Sequence, residues 1–187
     1  MKMKNYILTP LIILIVANLV TAQDLSRPQK NKQEKGYFNV LEMGYFIGKS
    51  NLLNDDFKRS TSLNVRSIRT VNGWFLNPKF SLGLGVGLDG NDTKDFGFFN
   101  TFIVYADARY YLNNSKDGWF FYSDLGKAVE LDVFFEKGLF LNAGGGYKFN
   151  IGKTMLVPSL GYNQQNFQSS NSDYRNSSLA IKLGFLF

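Results

Sequence analysis

The sequence predicts an all-β fold: an eight-stranded antiparallel up-and-down transmembrane β-barrel, preceded by a signal peptide. Three observations lead there. From Tyr37 onward, segments of about ten residues rich in Phe, Tyr, Val, Ile and Leu are separated by turn-forming clusters, and about ten residues at a steep tilt is what a bilayer asks of a barrel strand. Within several segments an apolar face alternates strictly with a face of Gly, Ser or charged residues. Short and long connections also alternate along the chain, as an up-and-down barrel with short inner turns and longer outer loops requires.

The 187 residues divide into three parts. Residues 1–22 read as a signal peptide. Lys2 and Lys4 give a positive start, Tyr6 to Val20 is mostly apolar, and Val20-Thr21-Ala22 puts a small residue at the cleavage edge. Residues 23–36, with the polar run Arg27 to Lys35, lack apolar periodicity and read as a flexible periplasmic leader. The barrel is expected over 37–187. No other stretch approaches the 18 or so continuous apolar residues of a spanning helix, so insertion in a membrane must be by strands.

Strands are expected near 37–48, 63–76, 79–89, 101–112, 118–128, 137–149, 154–168 and 176–187. Asn77-Pro78, 113–117 and 150–153 are the short turns; 49–62, 90–100, 129–136 and 169–175 are the longer loops. In the third strand Phe80, Leu82, Leu84, Val86 and Leu88 oppose Ser81, Gly83, Gly85, Gly87 and Asp89. In the fourth, Phe102, Val104, Ala106, Ala108 and Tyr110 oppose Thr101, Tyr105, Asp107 and Arg109. The sixth and last strands repeat the pattern. Two features disturb it. Arg66 and Arg69 differ by an odd number, so either a bulge intervenes or one of them lies above the membrane. Pro158 sits inside the seventh strand, where it loses a ladder bond.

Composition narrows the chemistry. There is no Cys and no His, which removes disulfides, thiolate metal sites and His-based nucleophilic catalysis. The net charge is +6, and +4 without residues 1–22, with the basic residues scattered in a manner that suits solvated loops rather than nucleic acid. Aromatic residues make up 16%, and with 18 glycines they favour strands over helices.

Several segments carry a family resemblance. Asn72 to Asp89 (NGWFLNPKFSLGLGVGLD) resembles the central hairpin of a family of small outer-membrane β-barrel proteins, the OmpA/OmpX-like eight-stranded barrels. Tyr105 to Leu112 and Lys137 to Gly146 fit the same family. The closing Leu183-Gly184-Phe185-Leu186-Phe187 resembles the signal read by the barrel assembly machinery, with Phe185 and Phe187 as its aromatics. The resemblance spans essentially 37–187. It implies a signal peptide, a single barrel in the outer membrane of a Gram-negative cell, and no established enzymatic role. Barrel enzymes that modify lipid A rely on a histidine base, which this chain lacks.

Gly83-Leu84-Gly85-Val86-Gly87 looks superficially like a nucleotide loop, but its glycines fall every second residue and no helix follows; they make room for large inward side chains such as Tyr105, Phe120 or Tyr122. By parity Glu42, Asp107, Arg109, Asp124, Lys148 and Lys182 face the lumen, where buried charges must pair; a charge network that plugs the barrel is expected. Asp89, Asp92 and Asp95 fall in one external loop without calcium-loop spacing and read as solvated, so no metal or cofactor site is expected. Lys49, Lys58 and Arg59, and in a wider reading Arg66, lie near the first external loop, where they suit contact with lipopolysaccharide phosphates.

The sequence thus points to a non-enzymatic outer-membrane barrel with a packed polar lumen. It serves envelope structure or surface interaction through its external loops, as a monomer among outer-membrane lipids. Two other readings stand beside it. One is a narrow ion or small-solute channel. The other is a soluble, secreted lipocalin-like ligand-binding barrel, which would turn the leucine face of residues 80–88 inward.

Overall fold

The computed structural model describes residues 35–52, 60–95, 97–130, 137–168 and 173–187. The expected signal peptide and nearly all of the leader lie outside them, as do Lys58 and Arg59. Eight strands follow in chain order: β1 (Gly36–Leu52), β2 (Ser60–Asn77), β3 (Phe80–Thr93), β4 (Gly97–Tyr111), β5 (Gly118–Glu130), β6 (Lys137–Asn150), β7 (Met155–Gln168) and β8 (Asp173–Leu186). Each pairs antiparallel with its chain neighbour, and β8 pairs with β1 to close the barrel.

The stagger follows from the ladders. From Tyr37 the rungs run through Trp74, Leu82, Ala108, Ser123, Ala143, Tyr162 and Leu179 and return to β1 at Ile47, ten residues further along. Eight strands with that shear tilt by about 40° and enclose a lumen with a backbone radius of about 8 Å. That bore is filled by side chains alone.

The wall is apolar on the outer surface of most strands; β2 is the exception, where Asn64, Arg66, Thr70 and Asn72 share the outward row with Ile68 and Trp74. Leu84, at the centre of the outward row on β3, is 71% exposed, while Gly85 and Gly87 beside it are buried inside. Tyr37, Trp74, Tyr110, Trp119, Phe121 and Phe149 form an aromatic girdle at the inner end. An outward surface of Leu, Ile, Val and aromatic side chains is one that lipid covers. The lipocalin-like alternative requires the opposite orientation and is excluded by these exposures.

The glycine face does what its spacing suggests. A Cβ at Gly85 would lie 2.3 Å from the Tyr105 ring, one at Gly146 2.7 Å from the Phe120 ring, and one at Gly161 2.1 Å from the Tyr122 hydroxyl. Large side chains from one wall lie across the glycines of another.

Three expectations are corrected. The strands are longer than a bilayer needs, 13 to 18 residues. The extra rungs project from the outer end, where polar side chains still alternate and the ladder keeps satisfying backbone groups. The segment 90–100 is therefore mostly hairpin, with β3 ending at Thr93 and β4 starting at Gly97, whose φ of 76° suits glycine. The contrast between short turns and long loops disappears with it. No bulge separates Arg66 from Arg69, because the β1–β2 ladder is unbroken from Gly36 to Asn51; the register shift lies at Phe75/Asn77 instead. Arg66 points outward near the outer end, and Arg69 points inward.

Pro158 has the local effect its chemistry requires. The β7–β8 ladder runs through it opposite Leu183, whereas the β6–β7 ladder jumps from Gly146↔Ser159 to Phe149↔Leu156. A residue without an N–H cannot donate to the β6 side.

Side-chain bonds fix the inner turns. Asn77 Oδ1 accepts from Lys79 N at 2.9 Å, Asn150 Oδ1 from Gly152 N at 3.2 Å, and Asp117 Oδ1 ties two turns together by accepting from Asn150 N at 2.6 Å.

Two substitutions test this wall by chemical unfolding in lipid vesicles. Leu84→Arg is expected to cost about 2–4 kcal/mol, the price of a cation at mid-bilayer. Gly85→Leu is expected to cost about 1–3 kcal/mol or more through its clash with Tyr105. A neutral Leu84→Arg would contradict a lipid-facing β3.

Candidate functional site

The lumen is where the polar chemistry of this chain collects. It is layered along the barrel axis. At the inner end Phe38 and Phe75 (ring centroids 5.0 Å), Phe75 and Tyr111 (5.4 Å), and Tyr111 and Phe120 (5.7 Å) form an aromatic seal with Val40, Val157 and Leu186. Lys148 stands in this layer with Nζ 4.7 Å from the centre of the Tyr111 ring.

Above it lies the first charge group. Arg109 on β4 reaches across the bore, donating from Nη2 to Glu42 Oε1 on β1 at 2.9 Å and from Nε to both oxygens of Asp107 at 3.0 and 3.1 Å. Lys182 on β8 donates to Glu42 Oε2 at 2.9 Å and lies 3.8 Å from the centre of the Tyr122 ring. Asp107 and Asp124 are direct cross-strand partners, so two carboxylates stand side by side. Asp124 Oδ2 accepts from Asn142 Nδ2 at 2.7 Å.

The second charge group lies higher. Arg69 on β2 binds Asp89 on β3 through both Nη2 (2.7 Å) and Nε (3.3 Å). Ser67 Oγ donates to the same carboxylate at 2.6 Å, and Gln165 reaches from β7, on the far side of the barrel, to Asp89 Oδ2 at 2.9 Å. The Arg69 guanidinium is clamped between Phe46 and Phe140, 4.9 and 4.8 Å from the ring centres.

Among the described residues the buried charges are Glu42, Asp89, Asp107 and Asp124 against Arg69, Arg109, Lys148 and Lys182. Four carboxyl groups therefore stand against four basic side chains in a bore about 8 Å in backbone radius.

All six charges assigned to the lumen by parity are buried there. Glu42, Asp107, Arg109 and Lys182 meet in one group, Asp124 stands beside them, and Lys148 lies apart in the inner seal. Arg69 and Asp89 belong to the same interior, beyond the six residues expected there. Asp89, which the sequence puts both on the inward face of the third strand and in an external loop, is buried, because the Ser81-Gly83-Gly85-Gly87 face continues through it. That parity was the signal available in the sequence. Asp92 on β3 and Asp95 in the turn point elsewhere, so the three aspartates do not converge. Among the described residues no group of three His, Cys, Asp or Glu side chains suits a metal ion.

On the outer surface, Lys49 is exposed near the top of β1. Arg66 on β2 and Arg175 on β8 face outward on the same side, with Arg175 Nε donating to Asn166 Oδ1 at 3.2 Å. Near the opposite end, Phe185 faces outward opposite Leu41, and Phe187 exchanges two backbone hydrogen bonds with Asn39 at the closing seam. Beside that seam, Asn39 Nδ2 donates to Thr70 Oγ1 at 3.1 Å and to Asn72 Oδ1 at 3.0 Å.

No protein-family model and no curated protein matches the sequence. Solved structures do match the fold. Neisserial surface protein A superposes with a TM-score of 0.54 at 15% identity, over 80% of this chain and 98% of its own. Outer membrane protein OprG of Pseudomonas aeruginosa gives 0.54 at 12%, over 83% and 97%. Ail, the attachment invasion locus protein of Yersinia pestis, gives 0.52 at 14%, over 82% and 100%. The chain has the fold of the small eight-stranded outer-membrane barrels.

Breaking one partner in the lumen is expected to be severe. Glu42→Ala strands both Arg109 and Lys182 and is expected to lower stability by about 3–5 kcal/mol. Asp89→Leu is expected to be worse alone than combined with Arg69→Met, since the double variant leaves no unpaired buried charge. Denaturant titration of the single and double variants checks both, and equal losses would refute the pairing.

Proposed function

We propose that this chain is a non-enzymatic outer-membrane barrel that serves envelope structure or surface interaction from its outer end. The observation that carries the reading is the combination of a largely apolar wall with a filled bore whose acidic and basic side chains are equal in number. A conducting pore profits from an excess of one sign of charge and an unobstructed axis. Here Arg109 and Gln165 each cross the axis to a strand on another side of the barrel, and aromatic layers lie at both ends.

The outward basic residues extend the reading to the lipid. Lys49, Arg66 and Arg175 flank the closing seam above Tyr45, Ile47 and Leu179 on β1 and β8. That is the height at which anionic head groups meet the wall, and lipopolysaccharide phosphates pair well with Arg and Lys there. The mature barrel is proposed to be a monomer, inserted by the barrel assembly machinery with Phe185 and Phe187 as the aromatic part of its recognition strand.

Planar bilayers test the sealed lumen: reconstituted protein is expected to give no stable conductance steps, and reproducible steps abolished by Arg109→Met would favour a narrow channel instead. Recovery in the outer-membrane fraction with heat-modifiable gel mobility is expected, and recovery in soluble periplasm would overturn the reading. The triple variant Lys49→Gln/Arg66→Gln/Arg175→Gln is expected to lose most of the gain in thermal midpoint that lipopolysaccharide confers over neutral lipid. An unchanged gain would refute the basic contact.

A further inference from the structure

Each of the three inner turns carries one lysine. Lys79 lies in the β2–β3 turn, Lys116 in the β4–β5 turn and Lys153 in the β6–β7 turn. Lys35 stands at the entry to β1, on the seam where β8 ends. In a closed barrel of eight strands these four positions fall about a quarter of the circumference apart. Lys35, Lys79 and Lys153 are exposed, and Lys116 is half-buried. Among the described residues none of the four has an ion-pair partner, and Asp117 is the one acid of this rim. The outer β3–β4 hairpin mixes the two signs instead, with Asp92, Lys94 and Asp95 close together in the chain.

Short-range bonds hold these turns in place. Lys79 N donates to Asn77 Oδ1 at 2.9 Å, and Lys79 O accepts from Tyr111 N at 2.8 Å, which ties the first turn to β4. Ser115 Oγ donates to Asp117 O across Lys116. Asp117 Oδ1 accepts from Asn150 N at 2.6 Å, so the carboxylate of the rim is engaged and the second turn is joined to the third. Ile151 N donates to Thr154 O at 3.0 Å around Gly152, whose φ of 95° favours glycine. The rim therefore presents its lysines from fixed backbone positions.

A second pattern runs with the first. Each lysine lies two to four residues from a large apolar side chain that is exposed: Tyr37 after Lys35, Leu76 before Lys79, Leu112 before Lys116 and Ile151 before Lys153. An apolar side chain at the hydrocarbon edge, with an ammonium on a flexible stem just beyond it, suits the surface of a leaflet. The stem lies along the apolar layer and the charge sits among phosphates. Other partners fit less well. A soluble protein would engage one side of the rim, not four positions around it. A peptidoglycan strand offers carboxylates but would leave Leu76, Leu112 and Ile151 against water. A leaflet of anionic lipid surrounds the whole barrel and covers both elements of the pattern.

We propose that the inner rim is a four-point collar for anionic phospholipid, in which Lys35, Lys79, Lys116 and Lys153 each hold head-group phosphate of the inner leaflet. An ammonium takes phosphate as a point charge from any direction, so the collar selects for net negative charge and not for one head-group shape. The attraction acts at the surface and is screened by salt. The word "inner" rests on the outer-membrane reading above, which cell fractionation tests. The collar itself is tested in bilayers of phospholipid alone, so it stands or falls apart from that reading and from the lipopolysaccharide contact.

The chain carries its own probe of this rim, because both of its tryptophans, Trp74 and Trp119, lie in the inner girdle. The folded barrel in phosphatidylcholine vesicles is titrated with phosphatidylglycerol whose acyl chains carry bromine, which quenches nearby indole; brominated phosphatidylcholine is the control. Brominated phosphatidylglycerol is expected to bind about twofold or more tightly than the control, and the preference is expected to vanish at about 1 M salt. The variant Lys35→Gln/Lys79→Gln/Lys116→Gln/Lys153→Gln is expected to be quenched equally by both lipids, whereas Lys49→Gln/Arg66→Gln/Arg175→Gln keeps the preference. Equal quenching of the unaltered protein, or an undiminished preference in the folded fourfold variant, would overturn the collar. If the fourfold variant does not fold, the four single variants replace it, and a preference unchanged in all of them has the same meaning. Co-sedimentation with purified peptidoglycan is the second arm: lysine-dependent retention there without a lipid preference would assign the rim to the wall polymer and overturn the proposal.

Discussion

In hydrocarbon no water is present to take a backbone N–H or C=O, so a chain that crosses in strands must close on itself. Closure with eight strands and a stagger of ten residues sets the bore, and the bore sets nearly everything inside it. There is room for side chains and for little else. Glycines must therefore stand opposite Tyr105, Phe120 and Tyr122, since two large residues cannot share that width. Charges that enter must come with partners, because the low-dielectric wall gives them none.

The arrangement of those charges follows the same economy of space. Arg109 and Lys182 converge on one carboxylate, Glu42, from different strands, and Arg69 grips Asp89 bidentately while two aromatic rings cover its faces. Each pair links strands that are not neighbours in the sheet, or secures a residue that does so. A network of this kind adds little net stability over a well-packed apolar filling, but a slipped register would leave it with unpaired charge. For this barrel it acts as a check on register in a wall whose backbone ladder tolerates slippage.

Much of this was legible in the sequence. Strand number, order and facing followed from parity, because lipid on one side and a crowded lumen on the other impose a period of two without interruption across residues 80–88 and 101–110. The six lumenal charges followed by the same rule. What escaped lay where local signals conflict or are silent. Asp89 carries two readings, inward on the third strand by parity and solvated in a run with Asp92 and Asp95, and the β3–β4 ladder that continues past it decides for the first. The Arg66/Arg69 ambiguity was resolved by pairing with β1, which the residues of β2 alone do not encode. The meeting of Gln165 with Asp89 joins positions 76 residues apart and depends on the stagger of the closed barrel.

The skipped rungs beside Pro158 have a mechanical meaning. The β2–β3 seam only shifts register at Phe75/Asn77, but the one between β6 and β7 skips two rungs near the inner rim. Pulled apart, the cylinder would tear there first, and a wave of bending along the wall would hinge there. The aromatic rings of Trp119, Tyr147 and Phe149, packed at 5.2 and 4.5 Å, brace the adjoining β5–β6 seam and leave the gap itself unbridged by rings among the described residues.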